Sequence, residues 1–340
     1  MRLALCGLPS GGKSTLFAAL SGRRGGMERG RGGSDTAILP VPDPRLDALS
    51  DLYKPKKTIY AQVTYLDPPA PAGGADDPAT RLPQELKQVD GLVLVLRNFD
   101  AGLGAPTPAE DLRAFAEEML LADLITVERR LERIAAERQR GRSTDGEEIA
   151  LLEQARGLLE AEEPLRDTPE LVGHVKMRGF GLLTSKPLMV VANNADDDPE
   201  PPELGPGVEP VVVRAAIEAE LAELDDEERS EFMADLGLTD SALDRLIAAS
   251  YRTLDLISFF TVGADEVRAW TIKRGTPAVQ AAGVIHSDLE RGYIRGEVMD
   301  HAELLSHGSE AALKKAGLVK VVGKDFVLSD GQVFHVLFNV

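Results

Sequence analysis

The chain has 340 residues, with 38 Lys/Arg against 56 Asp/Glu and a single cysteine. No stretch approaches the roughly 18 apolar residues of a membrane span, no signal peptide precedes the first strand, and Cys6 alone excludes an intramolecular disulfide, so a reducing, cytoplasmic setting is expected. The formal charge of −18 is uneven: residues 1–60 carry +5, 61–257 carry −22 and 258–340 carry −1. An acidic middle repels nucleic acid, so RNA contact is expected only through local basic patches at the ends, and nothing indicates DNA or a membrane as partner.

Residues 2–6 read as a short buried strand and run directly into G-L-P-S-G-G-K-S-T over 7–15. One Gly, four residues and then Gly-Lys-Ser, between a strand and a helix starting near Ser14, is the phosphate-binding loop pattern. Gly11 and Gly12 let the backbone curl until successive N–H groups face an anion, and the following helix adds its positive dipole end. Gly7, Pro9, Ser10, Gly11, Gly12, Lys13, Ser14 and Thr15 are therefore candidate nucleotide-binding residues. Lys13 is the candidate catalytic residue, a point charge for the β- and γ-phosphates, and the Ser14 hydroxyl is placed to ligate Mg²⁺.

Farther along, the glycine- and arginine-rich stretch 22–33 fits either a flexible loop or a basic loop that touches RNA. Apolar runs predict strands over 59–66, 91–96 and 187–192, with a fifth near 209–213; strands apolar throughout imply a parallel sheet covered on both faces. Between the third and fourth of these, Leu120, Leu124, Val127, Leu131 and Ile134 recur at four- and three-residue steps, one limb of a helical hairpin. Residues 140–146 form its turn, and Ile149, Leu152 and Leu159 begin the return limb. Both an arm that touches a partner and a solvated insertion packed on itself fit that pattern. A proline-rich acidic loop occupies 196–210, residues 216–256 read as helical, and after 258 the texture turns to short strands and turns. There, Trp270 reads as core and His286 as a hydrogen-bonded structural residue; Arg268, Lys273, Arg274, Arg291 and Arg295 are possible phosphate contacts.

Four stretches carry a family resemblance: the loop continued as G-L-P-S-G-G-K-S-T-L-F, L-P-V-P-D-P-R-L-D-A-L-S-D-L-Y-K-P-K-K at 39–57, L-A-D-L-I-T-V-E-R-R-L-E-R at 121–133, and the long run F-F-T-V-G-A-D-E-V through Y-I-R-G-E-V at 259–298. The chain resembles the YchF/Obg-like ATPases, a branch of the Obg-related P-loop proteins. The resemblance implies an α/β P-loop NTPase (G domain) at 1–110 and 180–257, an inserted helical coiled-coil arm at 111–179, and a small C-terminal α+β, β-grasp-like TGS domain at 258–340. It also implies ATP, or GTP, with Mg²⁺ as ligands, hydrolysis of the triphosphate, and the ribosome or its RNA as partner.

Set against the family pattern, several positions differ. Ser10 stands where the family has the Asn tied to potassium-assisted hydrolysis. The D-I-A-G switch appears as Asp67-Pro68-Pro69-Ala70; Asp67 remains suited to hold Mg²⁺ through water, while the prolines stiffen the segment. The switch threonine falls at Arg31, with Ser34 or Thr36 able to replace it only after a register shift. The base-reading loop is Asn193-Asn194-Ala195-Asp196, where the family has Asn-x-x-Glu. A carboxylate there can take two hydrogen bonds from the guanine edge, so Asp196 leaves the choice of purine open. Arg214-Ala215-Ala216 replaces the second base loop. Three readings follow: a slow ribosome-associated ATPase, a GTP-preferring relative, or a nucleotide-binding module with impaired hydrolysis.

Overall fold

The structure is a computed structural model that describes residues 1–22, 26–29 as backbone, 34–69, 81–102, 104–235 and 241–339. The chain begins with β1 (Arg2–Cys6) and α1 (Lys13–Gly22), then β2 (Gly26–Arg29), β3 (Asp35–Pro40), α2 (Pro44–Tyr53), β4 (Lys57–Ile59) and β5 (Gln62–Asp67). Next come β6 (Gly91–Asn98), α3 (Pro108–Gln139), α4 (Gly146–Glu160), α5 (Pro169–Gly173), β7 (Leu188–Asn194), β8 (Val211–Val213), α6 (Ala215–Glu223), α7 (Asp226–Asp235) and α8 (Ala242–Thr253). The last third holds β9 (Leu256–Thr261), β10 (Glu266–Lys273), α9 (Ala278–Ile285), α10 (Ser287–Arg291), β11 (Tyr293–Asp300), α11 (His301–His307), α12 (Glu310–Lys315), β12 (Lys320–Val322) and β13 (Gln332–Phe338). Two compact units result, Met1–Leu39 with Thr64–Leu246, and Pro40–Val63 with Ile247–Val340.

The first unit is built on a seven-stranded sheet in the order β2-β3-β5-β1-β6-β7-β8. Strands β5, β1, β6, β7 and β8 pair in parallel. Parallel strands are buried on both faces, which is why β1 and β6 can be apolar nearly end to end: Leu3, Ala4, Leu92, Val93 and Leu94 are all fully buried. β2 pairs antiparallel with β3, so part of the expected glycine-rich loop is a strand. Laddering against β3 satisfies its backbone groups, a long-range gain that composition does not report.

Helix α3 serves two cores. Its first half sets Phe115, Met119 and Ala122 against Leu92, Leu94 and Leu96 of β6. Its second half sets Val127 and Ile134 against Leu152, Ala155 and Leu159 of α4, with Leu120, Leu124, Leu131 and Ile149 packed alongside. At the junction Asp123, only 1 % exposed, accepts from the Leu183 and Thr184 N–H groups at 2.8 and 2.7 Å and from the Thr184 hydroxyl at 2.7 Å. Burial pushes its pKa up, and those three donors oppose the rise. α4 starts on Asp145, whose carboxylate accepts from the Glu147 and Glu148 N–H groups as an N-cap.

The second unit is a six-stranded sheet ordered β12-β11-β13-β9-β10-β4. Phe259 meets Phe334 edge-on and stacks near Trp270, while Ala278, Ala281 and Ala282 bring α9 close to that face. Trp270 is only partly buried; its indole N–H donates to the Thr261 hydroxyl at 2.9 Å. The side chain of His286 accepts from the Asp288 N–H at the start of α10, in keeping with a structural role. The run 59–66, expected as one strand, divides here. Lys57–Ile59 pairs in parallel with β10 in the second sheet, whereas Gln62–Asp67 pairs with β1 in the first. A continuous β-forming run reports propensity, not which sheet each half will join.

Candidate nucleotide site

The loop between β1 and α1 approaches its neighbours so closely at two glycines that no larger residue fits there. Gly7 has φ +131° and Gly12 φ +86°. A Cβ on Gly7 would lie 2.5 Å from the Val95 carbonyl oxygen, and one on Gly12 would lie 2.1 Å from Nδ2 of Asn193. Ser10 also adopts a left-handed conformation, φ +63°, which costs a non-glycine residue on the order of 1–3 kcal/mol. Pro9, Ser10, Ser14 and Thr15 are exposed along the loop, Gly11 is buried, and Gly12 and Lys13 are half-buried.

Lys13 folds back over its own loop, its Nζ donating to the carbonyls of Gly7 at 2.9 Å and Leu8 at 2.7 Å. Burial lowers its pKa, and the neighbouring Asp67 carboxylate is among the groups that oppose the fall. Asp67, at the end of β5, has its pKa raised by burial and by Asp35; a hydrogen bond with Ser14 and the charge of Lys13 pull it back. Lys13, Ser14 and Asp67 thus lie near one another, with Asp35 beside them. The sequence reading missed Asp35; its position at the start of β3, beside the switch candidates, was the available signal. Ser34, just before it, is 3 % exposed with a hydroxyl that has no hydrogen-bond partner among the described residues. Arg31 and Ala70 lie outside the described residues.

The 193–196 loop uses its two amides inside the protein. Asn193 donates to the Gly11 carbonyl at 3.2 Å and accepts from the Ala215 N–H at 3.0 Å. Asn194, 3 % exposed, accepts from Asn98 at 3.0 Å and donates to the carbonyls of Asp198 and Glu200 at 3.1 and 2.6 Å. Asn98 is a second residue that sequence reasoning missed. Asp196 is exposed, and its carbonyl accepts from Arg214 at 3.1 Å. Buried amides that are fully bonded order a loop, while an exposed carboxylate at its tip stays available to a ligand.

Among the basic residues of the second unit, Arg268 pairs with Glu266 and lies 4.0 Å over the Trp270 ring, Arg274 pairs with Asp255, and Arg291 pairs with Asp288. Lys273 and Arg295 are exposed. Among the described residues no helix is long and apolar enough to cross a membrane.

Comparison with known proteins gives a consistent result. The family described as "YchF-GTPase_C: Protein of unknown function (DUF933)" matches residues 256–339. The ribosome-binding ATPase YchF of Bacillus subtilis is 36 % identical over 99 % of this chain and 98 % of its own length. The Obg-like ATPase 1 of Schizosaccharomyces pombe is 31 % identical over 98 % of this chain and 93 % of its own. A solved structure of the Schizosaccharomyces pombe YchF GTPase superposes with a TM-score of 0.84 at 29 % identity, covering 99 % of this chain and 97 % of that one. At 36 % identity over nearly the full length of both chains, and with a superposition that spans the chain, the protein belongs to the YchF family.

Proposed function

We propose that this protein binds ATP with Mg²⁺ on the loop of residues 7–15, hydrolyses it slowly and associates with ribosomes. The observation that carries the reading is the convergence of Lys13, Ser14 and Asp67 on a loop that excludes a Cβ at Gly7 and Gly12. The ribosome and the preference for ATP come from the relatives named ribosome-binding ATPase.

The oxygen donors fit a hard divalent cation: a Ser14 hydroxyl on the exposed rim and the Asp67 carboxylate hydrogen-bonded to it. No group of three His, Cys, Asp or Glu among the described residues forms a cage of its own, which suits an ion shared with phosphate oxygens and water. When bound, Mg²⁺ supplies charge neutralisation across the β- and γ-phosphates. Lys13 exchanges its two carbonyl acceptors for phosphate oxygens, and the loop N–H groups of residues 10–15 hold the phosphates in place. Asp196 reads the base edge, while Asn193 ties the base loop to the phosphate loop and Asn194 orders the base loop itself.

A second reading, nucleotide binding with impaired hydrolysis, is favoured by Pro68 and Pro69 directly after Asp67, where two fixed φ angles resist rearrangement. Parallel binding and turnover of ATP and GTP, with and without ribosomes, tests both readings against a Lys13→Ala blank. Turnover above the blank that rises with ribosomes is expected; binding without turnover above the blank would replace the first reading with the second.

A further inference from the structure

We propose that the turn of the helical arm is an RNA-contacting surface, with Arg138, Arg140 and Arg142 meeting phosphate groups. This rests on the reading that the protein engages ribosomes and names the part of it that does so.

All three arginines are exposed, and among the described residues none of their guanidinium groups has a hydrogen-bond or ion-pair partner. The acidic residues beyond the turn are already engaged with other partners. Asp145 and Glu147 both hold Lys176 at 2.5 Å, and Glu147 also faces His174 at 3.4 Å. Glu148 takes a two-pronged pair from Arg130 at 2.7 and 3.0 Å. The three cations of the turn are therefore left to face outward.

They are also presented by an ordered backbone. After α3, Gly141 takes φ +72°, its N–H donates to the Arg138 carbonyl at 3.0 Å, and the Arg142 N–H donates to the Glu137 carbonyl at 3.1 Å. Residues 138–145 read R-Q-R-G-R-S-T-D and contain no apolar side chain. A protein-docking surface is centred on an apolar or aromatic anchor; a phosphate-docking surface needs only spaced cations.

The strong acidity of residues 61–257 argues against RNA binding by this segment when read as composition alone. Geometry removes the objection. At 1.5 Å per residue, Arg140 stands about 27 Å along α3 from Ala122, its last residue in the sheet core. The screening length in physiological salt is about 8 Å, so charges on the body act weakly at the tip. In the second unit, by contrast, Arg268, Arg274 and Arg291 are already committed to acidic partners.

The test compares the full-length protein with R138Q/R140Q/R142Q and R138K/R140K/R142K. Binding to purified ribosomes and to a synthetic RNA stem–loop is followed across a salt series, with nucleotide affinity and Tm as fold controls. The glutamine variant should keep both controls, lose about tenfold or more in ribosome affinity and show a log K against log salt slope shallower by about two to three. The lysine variant should retain the slope, because a phosphate contact needs the charge rather than the fork. Unchanged affinity and slope in the glutamine variant would overturn the proposal. Lost affinity with an unchanged slope would mark a protein contact instead, and overturn it equally. Should the wild type fail to bind ribosomes, the ribosome reading falls and the stem–loop decides: an arginine-dependent slope there supports the RNA-contacting tip, and its absence overturns it.

Discussion

Asn193 reaches from the end of β7 to the phosphate loop, its Nδ2 lying 3.2 Å from the carbonyl oxygen of Gly11. Its Oδ1 holds the Ala215 N–H at the start of α6. One buried amide thus ties a strand end, the phosphate loop and a helix start, with Asn193 and Gly11 alone 182 positions apart in sequence. Asn193→Ala leaves the Ala215 N–H and the Gly11 carbonyl without this partner. It should lower stability by about 1–3 kcal/mol in urea unfolding and weaken ATP and GTP binding to the same degree. A change confined to one nucleotide would show instead that Asn193 reads the base.

Lys13→Ala removes charge from the β- and γ-phosphate end of the site. Isothermal titration should show a larger loss for ATP than for ADP. Equal losses would mean that Lys13 supports the loop through the Gly7 and Leu8 carbonyls and not the terminal phosphate.

Burial holds the pKa of Asp67 above its ordinary value of 3.8, so the folded protein keeps a proton that the unfolded chain releases. The stability this group contributes is fully present below that ordinary value and is lost as pH rises through the folded-state pKa. Asp67→Asn should therefore gain in Tm relative to wild type as pH rises from about 4 toward neutrality. It should also lose Mg²⁺-dependent ATP affinity. A Tm difference that does not vary with pH would refute the burial argument.

Asp196→Ala should weaken GTP more than ATP, since guanine presents two donors to a carboxylate and adenine does not. Competition of both nucleotides against one fluorescent analogue measures the ratio directly. An unchanged ratio removes Asp196 from base recognition.

Leu152 is fully buried between the limbs of the arm. Leu152→Ala should cost about 2–5 kcal/mol through the cavity it leaves, seen as faster amide exchange in α4. Nucleotide affinity at the phosphate loop should hold, because the sheet core around β6 is a separate cluster. A matching loss of nucleotide binding would show that α3 transmits strain between its two cores.

Much of this was legible in the residues. The loop over 7–15 is contiguous, and its glycine positions state their own backbone requirement. The stripe from Leu120 to Ile134 named the arm core because side chains three and four apart share a helix face. Less visible were the partners that polar groups find at long range. Asn194 reads as a base contact in a linear motif, yet in the fold it bonds Asn98 and two carbonyls of its own loop. Asp35 and Asn98 carry no motif at all, and only proximity gives them a role.

The sequence by itself determined that a phosphate loop, a buried parallel sheet and a two-helix arm would form, because each is encoded by residues near one another in the chain. The tertiary structure decided where the run 57–67 divides between two sheets, which amides clamp the loop, and which arginines are left without a partner. Strand edges and charged side chains take whichever partner packing brings within reach, and that choice is made only once distant segments have met.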